Sequence, residues 1–390
     1  MPSLLHKMFV LFLLVCLFSS CATYSTKISK KVAEPSPESP ADSIYHTVYL
    51  IGDAGNAPLN ESTETLDHLA ANLAEESEKA SIIWLGDNIY PNGLAPEGFE
   101  DRELDIHRLN AQLNTVLDFE GNVYFIPGNH DWYKYGIAGI KRQGNYIDSV
   151  LTQQNNKRNS NFFMPDNGCG DPQLVSLAEN IDLLLMDSHW FVQRKKEPRE
   201  QCICKDRDEF LTRIETLVDE SQAQTIITTL HHPPYTYGHH GGGYSLKETL
   251  FPLTHLNKKL YIPIPLFGIN KLRNIFLNQD NKNPRYIRLR KGIIRALDKK
   301  GPSIVASGHE HNLQHIRKGI HDYIVSGAGS KSNPCKLGSG SLFCTGKNGY
   351  VRLLFYSPTL VMAEFIVPGS NEETGDVVYS SIIHLTTVSQ

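Results

Sequence analysis

Ile82-Ile83-Trp84-Leu85-Gly86-Asp87-Asn88-Ile89-Tyr90 is the stretch on which the reading of the fold turns. The apolar run has the length of a short buried strand, and a glycine ends it. An acid just past the carboxyl end of such a strand lies where open α/β sheets hold their ligands. Asp87 offers two oxygens and can bridge two cations; Tyr90, three residues on, can turn back to the same point. A free phenol titrates near pH ~10, so an anionic tyrosine ligand calls for a strongly acidic metal. Taken alone, Gly-Asp before an aromatic is also the look of a plain turn, and the rest of the chain has to decide.

Four more apolar runs end in the same way. Val48-Tyr49-Leu50-Ile51 leads into Gly52-Asp53-Ala54-Gly55-Asn56, and Val123-Tyr124-Phe125-Ile126 into Pro127-Gly128-Asn129-His130-Asp131. Residues 225–230 deliver His231-His232-Pro233-Pro234, and 303–306 deliver Gly308-His309-Glu310-His311. Between the first three runs the spacing predicts helices over 60–80, with Leu66, Leu69, Ala70 and Leu73 on one face, and over 99–117. This alternation argues for βαβ units that share one ligand edge. Further on, strands are predicted at 174–177, 182–186, 322–325, 350–355, 361–365 and 377–385, with a helix over 207–221. The expected fold is α/β (α+β-like): a four-layer αββα sandwich, two mixed β-sheets flanked by helices. A single doubly wound sheet accounts less well for the strand-rich second half, and there are no internal repeats.

A length of 390 residues is ample for a large core. A net charge of −4 and 21% charged residues predict no nucleic-acid partner. Residues 8–18 are almost wholly apolar but too short to span a bilayer. With Lys7 before them and Ser19-Ser20-Cys21 after, they read as a signal peptide over 1–21 that resembles a bacterial lipoprotein leader. Cys21 would then carry a lipid anchor to a bacterial membrane, facing the periplasm or cell surface. Residues 22–43, with Pro35, Pro37 and Pro40, read as an extended linker, and 44–390 as the folded domain. In an exported chain Cys335 and Cys344, which bracket a Gly/Ser-rich loop, are expected to pair. Cys169 is expected to join Cys202 or Cys204, leaving one odd thiol.

Residues 235–300 break the rhythm and read as an insertion, with Gly241-Gly242-Gly243, several prolines and the apolar run 260–267. Twelve Lys or Arg against two acids lie between His255 and Lys300. That balance suits a phosphorylated substrate or an anionic lipid surface, or simply a solvated helix face.

The polar residues at the strand ends are Asp53, Asp87, Tyr90, Asn129, His130, His231, His309 and His311. Each has a dull explanation as a turn, a cap or a hydrogen-bonding core residue, but five such points in one chain do not. Carboxylate, amide, phenol and imidazole together suit Fe, Mn or Zn better than Ca or Mg.

These blocks, GDAG, GDNIY, GNHD, HHPP and GHEH, resemble the calcineurin-like metallophosphoesterases. Two details point within them to the purple acid phosphatases. Gly55 stands where most members have a ligand His, and Tyr90 stands where the purple enzymes supply a tyrosinate to ferric iron. The tail GHEHNLQHIRKGIHDYIVSGAGSK, ending at Lys331, is similar to that of the small, tartrate-resistant type. The resemblance implies that Asp53, Tyr90 and His311 hold Fe(III). Asn129, His231 and His309 would hold a divalent Fe, Zn or Mn, with Asp87 bridging. His232 would not be a ligand, and His130 and His240 would face the phosphate. Asp187, at the end of its own predicted strand, reads as support for the ligands rather than a ligand. The activity implied is phosphomonoester hydrolysis by a hydroxide generated between the two cations. The alternatives are a phosphodiesterase or nucleotide pyrophosphatase of the same superfamily, and a lipid-anchored binding protein that keeps the metals for structure.

Overall fold

The computed structural model describes residues 22–30, 44–154, 159–166, 168–194, 201–245, 247–248, 251, 281–369 and 373–386. The leader at 1–21, residues 31–43 of the linker and the middle of the basic insertion at 252–280 lie outside the described residues.

Two sheets form the centre. The six-stranded sheet contains β2 (His46–Ile51), β3 (Ala80–Trp84), β4 (Asn122–Phe125), β12 (Tyr350–Ser357), β13 (Leu360–Val367) and β14 (Asp376–His384), in the order β14-β13-β12-β2-β3-β4. The eight-stranded sheet contains β1 (Lys27–Ile28), β5 (Gln173–Ala178), β6 (Ile181–Leu185), β7 (Thr225–Thr229), β8 (Ile304–Ser307), β9 (Leu313–Lys318), β10 (His321–Ser326) and β11 (Ser341–Thr345), in the order β1-β11-β9-β10-β8-β7-β6-β5. Strands β2, β3 and β4 are mutually parallel, as are β6, β7, β8 and β10; the outer strands are antiparallel. Both sheets are therefore mixed, as expected.

The period-two alternation of β2 and β3 explains the layering. Val48, Leu50, Ile83 and Leu85 point inward, into a core shared with Leu183, Leu185, Ile227, Ile304 and Ala306 of the other sheet. Tyr49, Ile51, Ile82 and Trp84 point outward, against Leu66, Leu69 and Leu73 of helix α1 (Glu64–Ala74) and Leu109 of α2 (Arg102–Leu113). On the far side Phe210, Ile214 and Leu217 of α6 (Arg207–Glu220) cover the second sheet together with Leu289, Ile293 and Leu297 of α7 (Pro284–Lys300). The shorter α3 (Asn129–Trp132) and α5 (Ser188–Val192) and the longer α4 (Gly136–Thr152) complete the helices named here. Among the described residues no helix is long and apolar enough to cross a membrane.

Two expectations change, and the described part of the basic insertion follows one of its readings. Residues 22–30 are not an extended linker: Ala22 N–H donates to Tyr244 O (3.1 Å), and β1 pairs with β11. The unpaired edge of β11 needs a partner, and this segment supplies it. Within the basic insertion, α7 is a regular flanking helix, capped by Asn283 Oδ1 and carrying seven of the twelve cations. Several of these are tied to protein groups, Arg295 to Glu215 (2.8 Å) and Arg290 to Pro234 O (3.3 Å), so this part is the solvated face of a packed helix. Finally, Cys335 and Cys344 do not form a disulfide. They are buried free thiols within hydrogen-bond reach of each other, while Cys169 is bonded to Cys202 (Cα–Cα 5.4 Å) and Cys204 is left over.

Candidate metal centre

Every strand-end residue singled out above lies at one edge of the sandwich. The turn after β3 needs Gly86 at φ 88°, and a side chain there would strike Gly128 N (2.7 Å) and His231 Nδ1 (2.8 Å). Gly128 is equally constrained, since an added Cβ would lie 2.3 Å from Asp87 N and Oδ1. The two loops thus touch backbone to backbone, which only glycine permits. Asp53, Asp87 and His309 are themselves held at φ 58°, 56° and 68°. Left-handed backbone at non-glycine residues is costly and clusters at functional sites.

The donor atoms form two connected groups. In the first, Tyr90 Oη lies 2.7 Å from Asp53 Oδ1, 3.0 Å from Asp87 Oδ2 and 3.1 Å from His311 Nε2, with His311 Nε2 3.4 Å from Asp53 Oδ1. In the second, Asn129 Oδ1 lies 2.9 Å from both His231 Nε2 and His309 Nδ1, which are 3.2 Å apart. Asp87 joins the groups: its Oδ2 faces Tyr90 and its Oδ1 is 3.4 Å from His231 Nε2. Asp53, Asp87 and His231 can offer ligand atoms all within 4.8 Å of one another.

These residues fit a pair of cations. Asp53 and Asp87 are almost fully buried (0% and 1% exposed), and among the described residues no Lys or Arg forms an ion pair with either. Two bare carboxylates in such a place are expensive unless cations neutralise them. In the metal-free protein protons take that part. Burial alone would raise the Asp87 carboxyl, but His231 and His130 hold it well below the carboxylate range. Against the opposing effect of burial, Asp87 lifts His231 to about 9. Burial, with Asp53 and Asp87 beside it, pushes the Tyr90 phenol up. Metal ions binding here would displace those protons.

Several of the donor groups are aimed by partners behind them. His231 Nδ1–H donates to Leu85 O (2.8 Å), across from the other sheet, so Nε2 faces the centre. Asn129 Nδ2 donates to Tyr133 Oη (2.7 Å), which turns the amide oxygen inward. His311 Nδ1 meets Asn333 Nδ2 (3.0 Å). His130 lies at the mouth: its Nδ1–H donates to Pro91 O (2.7 Å), and its Nε2 is 4.0 Å from Asp87 Oδ2. Burial pushes its pKa down against the pull of Asp87, so its protonated form is populated toward acid pH. His240 is brought in as well, its ring 4.0 Å from that of His309. His232 points elsewhere, its Nδ1 on Ser188 Oγ (2.8 Å). Asp187 touches no donor of the centre; it caps α5 through Trp190 N (3.1 Å) and takes the Trp132 indole N–H (2.7 Å), bracing the turn that carries His130.

Sequence reasoning missed four residues here. Asp131 accepts from Gly128 N, Asn88 N and Ile89 N at 2.7–3.1 Å, locking the GDNIY and GNHD loops together. Glu310 Oε1 accepts from Thr236 Oγ1 and the His240 N–H (both 2.9 Å) and so holds the loop that presents His240. Tyr133 orients the Asn129 amide and Asn333 touches His311, both from outside every motif. The second acidic group with metal-like spacing, Cys169, Asp171 and Cys202, is accounted for by the disulfide, with Asp171 accepting from Ile203 N and Cys204 N.

A fold of two mixed sheets between helices, with acids, an asparagine and histidines at the strand ends, defines a class. The calcineurin-like phosphoesterase family model matches residues 46–313, and the chain belongs to that family. The chain is similar to purple acid phosphatases. Purple acid phosphatase 17 of Arabidopsis thaliana is 21% identical over 337 residues, covering 85% of this chain and 80% of that one. Purple acid phosphatase 3 of the same plant is 26% identical over 283 residues, covering 67% and 68%. Among solved structures, GAP50, the anchor in the inner membrane complex of Plasmodium, shares the fold with a TM-score of 0.53 at 14% identity, over 88% of this chain and 89% of that one.

Proposed function

We propose that this protein is a binuclear-metal phosphomonoesterase of the acid phosphatase type. The observation that carries the reading is the Tyr90 hydroxyl packed against Asp53 and His311, with Asp87 reaching from that group to the His231–Asn129–His309 group. Asp53, Tyr90 and His311 would hold a trivalent iron, and Asn129, His231 and His309 a divalent iron, zinc or manganese, with Asp87 shared. Bound there, the ions would supply polarisation of the phosphoryl oxygens and an acidified water.

The chain's own groups do the rest. Asp87 is anchored by the His130 N–H (2.8 Å), so its carboxylate presents both oxygens without reorganising. Because Pro91 takes the His130 Nδ1–H, Nε2 is the atom left to face the leaving oxygen, and it can hand over a proton as the alcohol departs. His240, held by Glu310, flanks the same space.

Metal analysis with a visible spectrum, on wild type and on Tyr90→Phe, tests the reading. The expected result is iron with a visible band in wild type and no band in the variant. Assays on p-nitrophenyl phosphate and its bis-ester accompany it, with the monoester expected to be the better substrate. A colourless, iron-free enzyme that is fully active would sink the iron assignment, and a preference for the bis-ester would make the protein a diesterase.

A further inference from the structure

Residues 327–333, after β10, border the side of the centre where Asp53, Tyr90 and His311 meet. Gly329 N–H donates to Gly52 O (3.0 Å), Ser330 Oγ to Asp53 O (2.5 Å), and Asn333 N–H to His311 O (2.6 Å). Lys331 lies between these anchors, so its backbone is held on both sides. Its Nζ stands 3.2 Å from the centroid of the Tyr90 ring, and the His130 ring lies 4.4 Å from that same ring. The side chain is partly buried. Burial lowers its pKa, outweighing the pull of Asp87 and Asp53, and among the described residues it makes no ion pair.

An ammonium held in such a place has to be compensated. The Tyr90 ring face contributes through its quadrupole, but a cation–π contact is modest. Asp53 and Asp87 contribute only while they carry uncommitted charge; once cations engage them, no acid is left for Lys331. The anion it takes then has to arrive with the substrate. Above pH ~6 a phosphate monoester carries two negative charges, whereas a diester carries one. A further positive group over the Tyr90 ring, beside His130, therefore favours the monoester.

We propose that Lys331 contacts the phosphate of the substrate and sets a preference for dianionic monoesters over monoanionic diesters. The proposal rests on the phosphoesterase reading above and adds the residue that selects within it.

The test compares metal-loaded full-chain wild type, Lys331→Met and Lys331→Arg at pH 7. With Lys331→Met, kcat/KM for p-nitrophenyl phosphate should fall about tenfold to a hundredfold, the size of one charge-assisted hydrogen bond. The value for bis(p-nitrophenyl) phosphate should change little, and Lys331→Arg should regain most of the loss. A readout free of turnover is the rise in melting temperature produced by inorganic phosphate, which should shrink in Lys331→Met and return in Lys331→Arg. Equal losses on both esters, or an unchanged phosphate shift in Lys331→Met, would overturn the proposal. If wild type hydrolyses neither ester the functional reading fails by itself, and the phosphate shift still decides whether Lys331 binds the anion.

Discussion

Tyr133 shows how much of the centre depends on single atoms outside the motifs. The Asn129 side chain can present either its oxygen or its NH2 to a cation, and only the oxygen can bind. By taking the Nδ2 donor (2.7 Å), the Tyr133 hydroxyl selects the oxygen. Tyr133→Phe keeps the ring and removes that selection. The expected outcome is a roughly tenfold or greater loss of affinity for the divalent ion, in the range typical of outer-shell partners. The affinity of the Tyr90 side should be unchanged. Titration against a competing chelator measures both, and an unaltered divalent affinity would refute the role. Asn333 meets His311 from outside the motifs as well, its side-chain amide 3.0 Å from the ring nitrogen turned away from the centre. Neither residue was legible in the sequence, because an orienting side chain carries no spacing rule. The strand-end residues that gather here were legible, because each lies just past an apolar run.

At the scale of elements, α1 and α6, both read from the sequence, begin on side-chain caps, whereas α4, which was not read, has none. Asp206 begins α6 with its carboxylate accepting from Asp208 N (2.7 Å) and Glu209 N (2.9 Å), and the apolar face follows at helical spacing. Replacing it with alanine should cost about 1 kcal/mol, as N-caps generally do, seen as a lower urea midpoint with little change in activity. A drop in activity larger than the stability loss explains would show that α6 is coupled to the site. Helix α4 carries Gly139 and Gly144 among β-branched residues, a composition of low intrinsic helicity. Gly144 is needed because Phe163 lies where a Cβ would point (2.9 Å), and burial of Ile140, Ile147 and Leu151 sustains the helix. Tertiary packing overrides propensity there. Helix α7 was obscured in another way, by a run of basic residues that reads as an excursion until its buried face of Tyr286, Leu289, Ile293 and Leu297 is seen against α6.

Across the whole molecule the two sheets are joined by more than apolar surface. Tyr379 on β14 reaches His315 Nδ1 on β9 (3.3 Å), and His315 Nε2 and Arg317 Nε meet Asp322 Oδ1 at 2.7 and 2.9 Å. Burial would raise the Asp322 carboxyl, but His315 and Arg317 outweigh it and keep the group below its ordinary range. A carboxyl depressed in the folded state stabilises the protein above its unfolded pKa of ~3.9 and loses that contribution as pH falls through the folded value. The fall in urea midpoint between pH 7 and pH 3 should therefore be smaller in Asp322→Asn than in wild type. Equal falls in the two proteins would mean that the acid limb arises elsewhere.

The sequence by itself determined the layered sandwich and marked the strand-end residues that gather at its edge. Alternation of period two marks both faces of a strand, and a polar residue after each apolar run marks its tip; both are local patterns. Tertiary structure alone decided that the tips of two separate sheets meet at hydrogen-bond distance, and that residues 22–30 close a sheet edge. It also decided that Cys335 and Cys344 remain thiols and that Lys331 stands over the Tyr90 ring. Those facts depend on how distant segments pack, and contact across hundreds of residues leaves no periodicity in the chain to read.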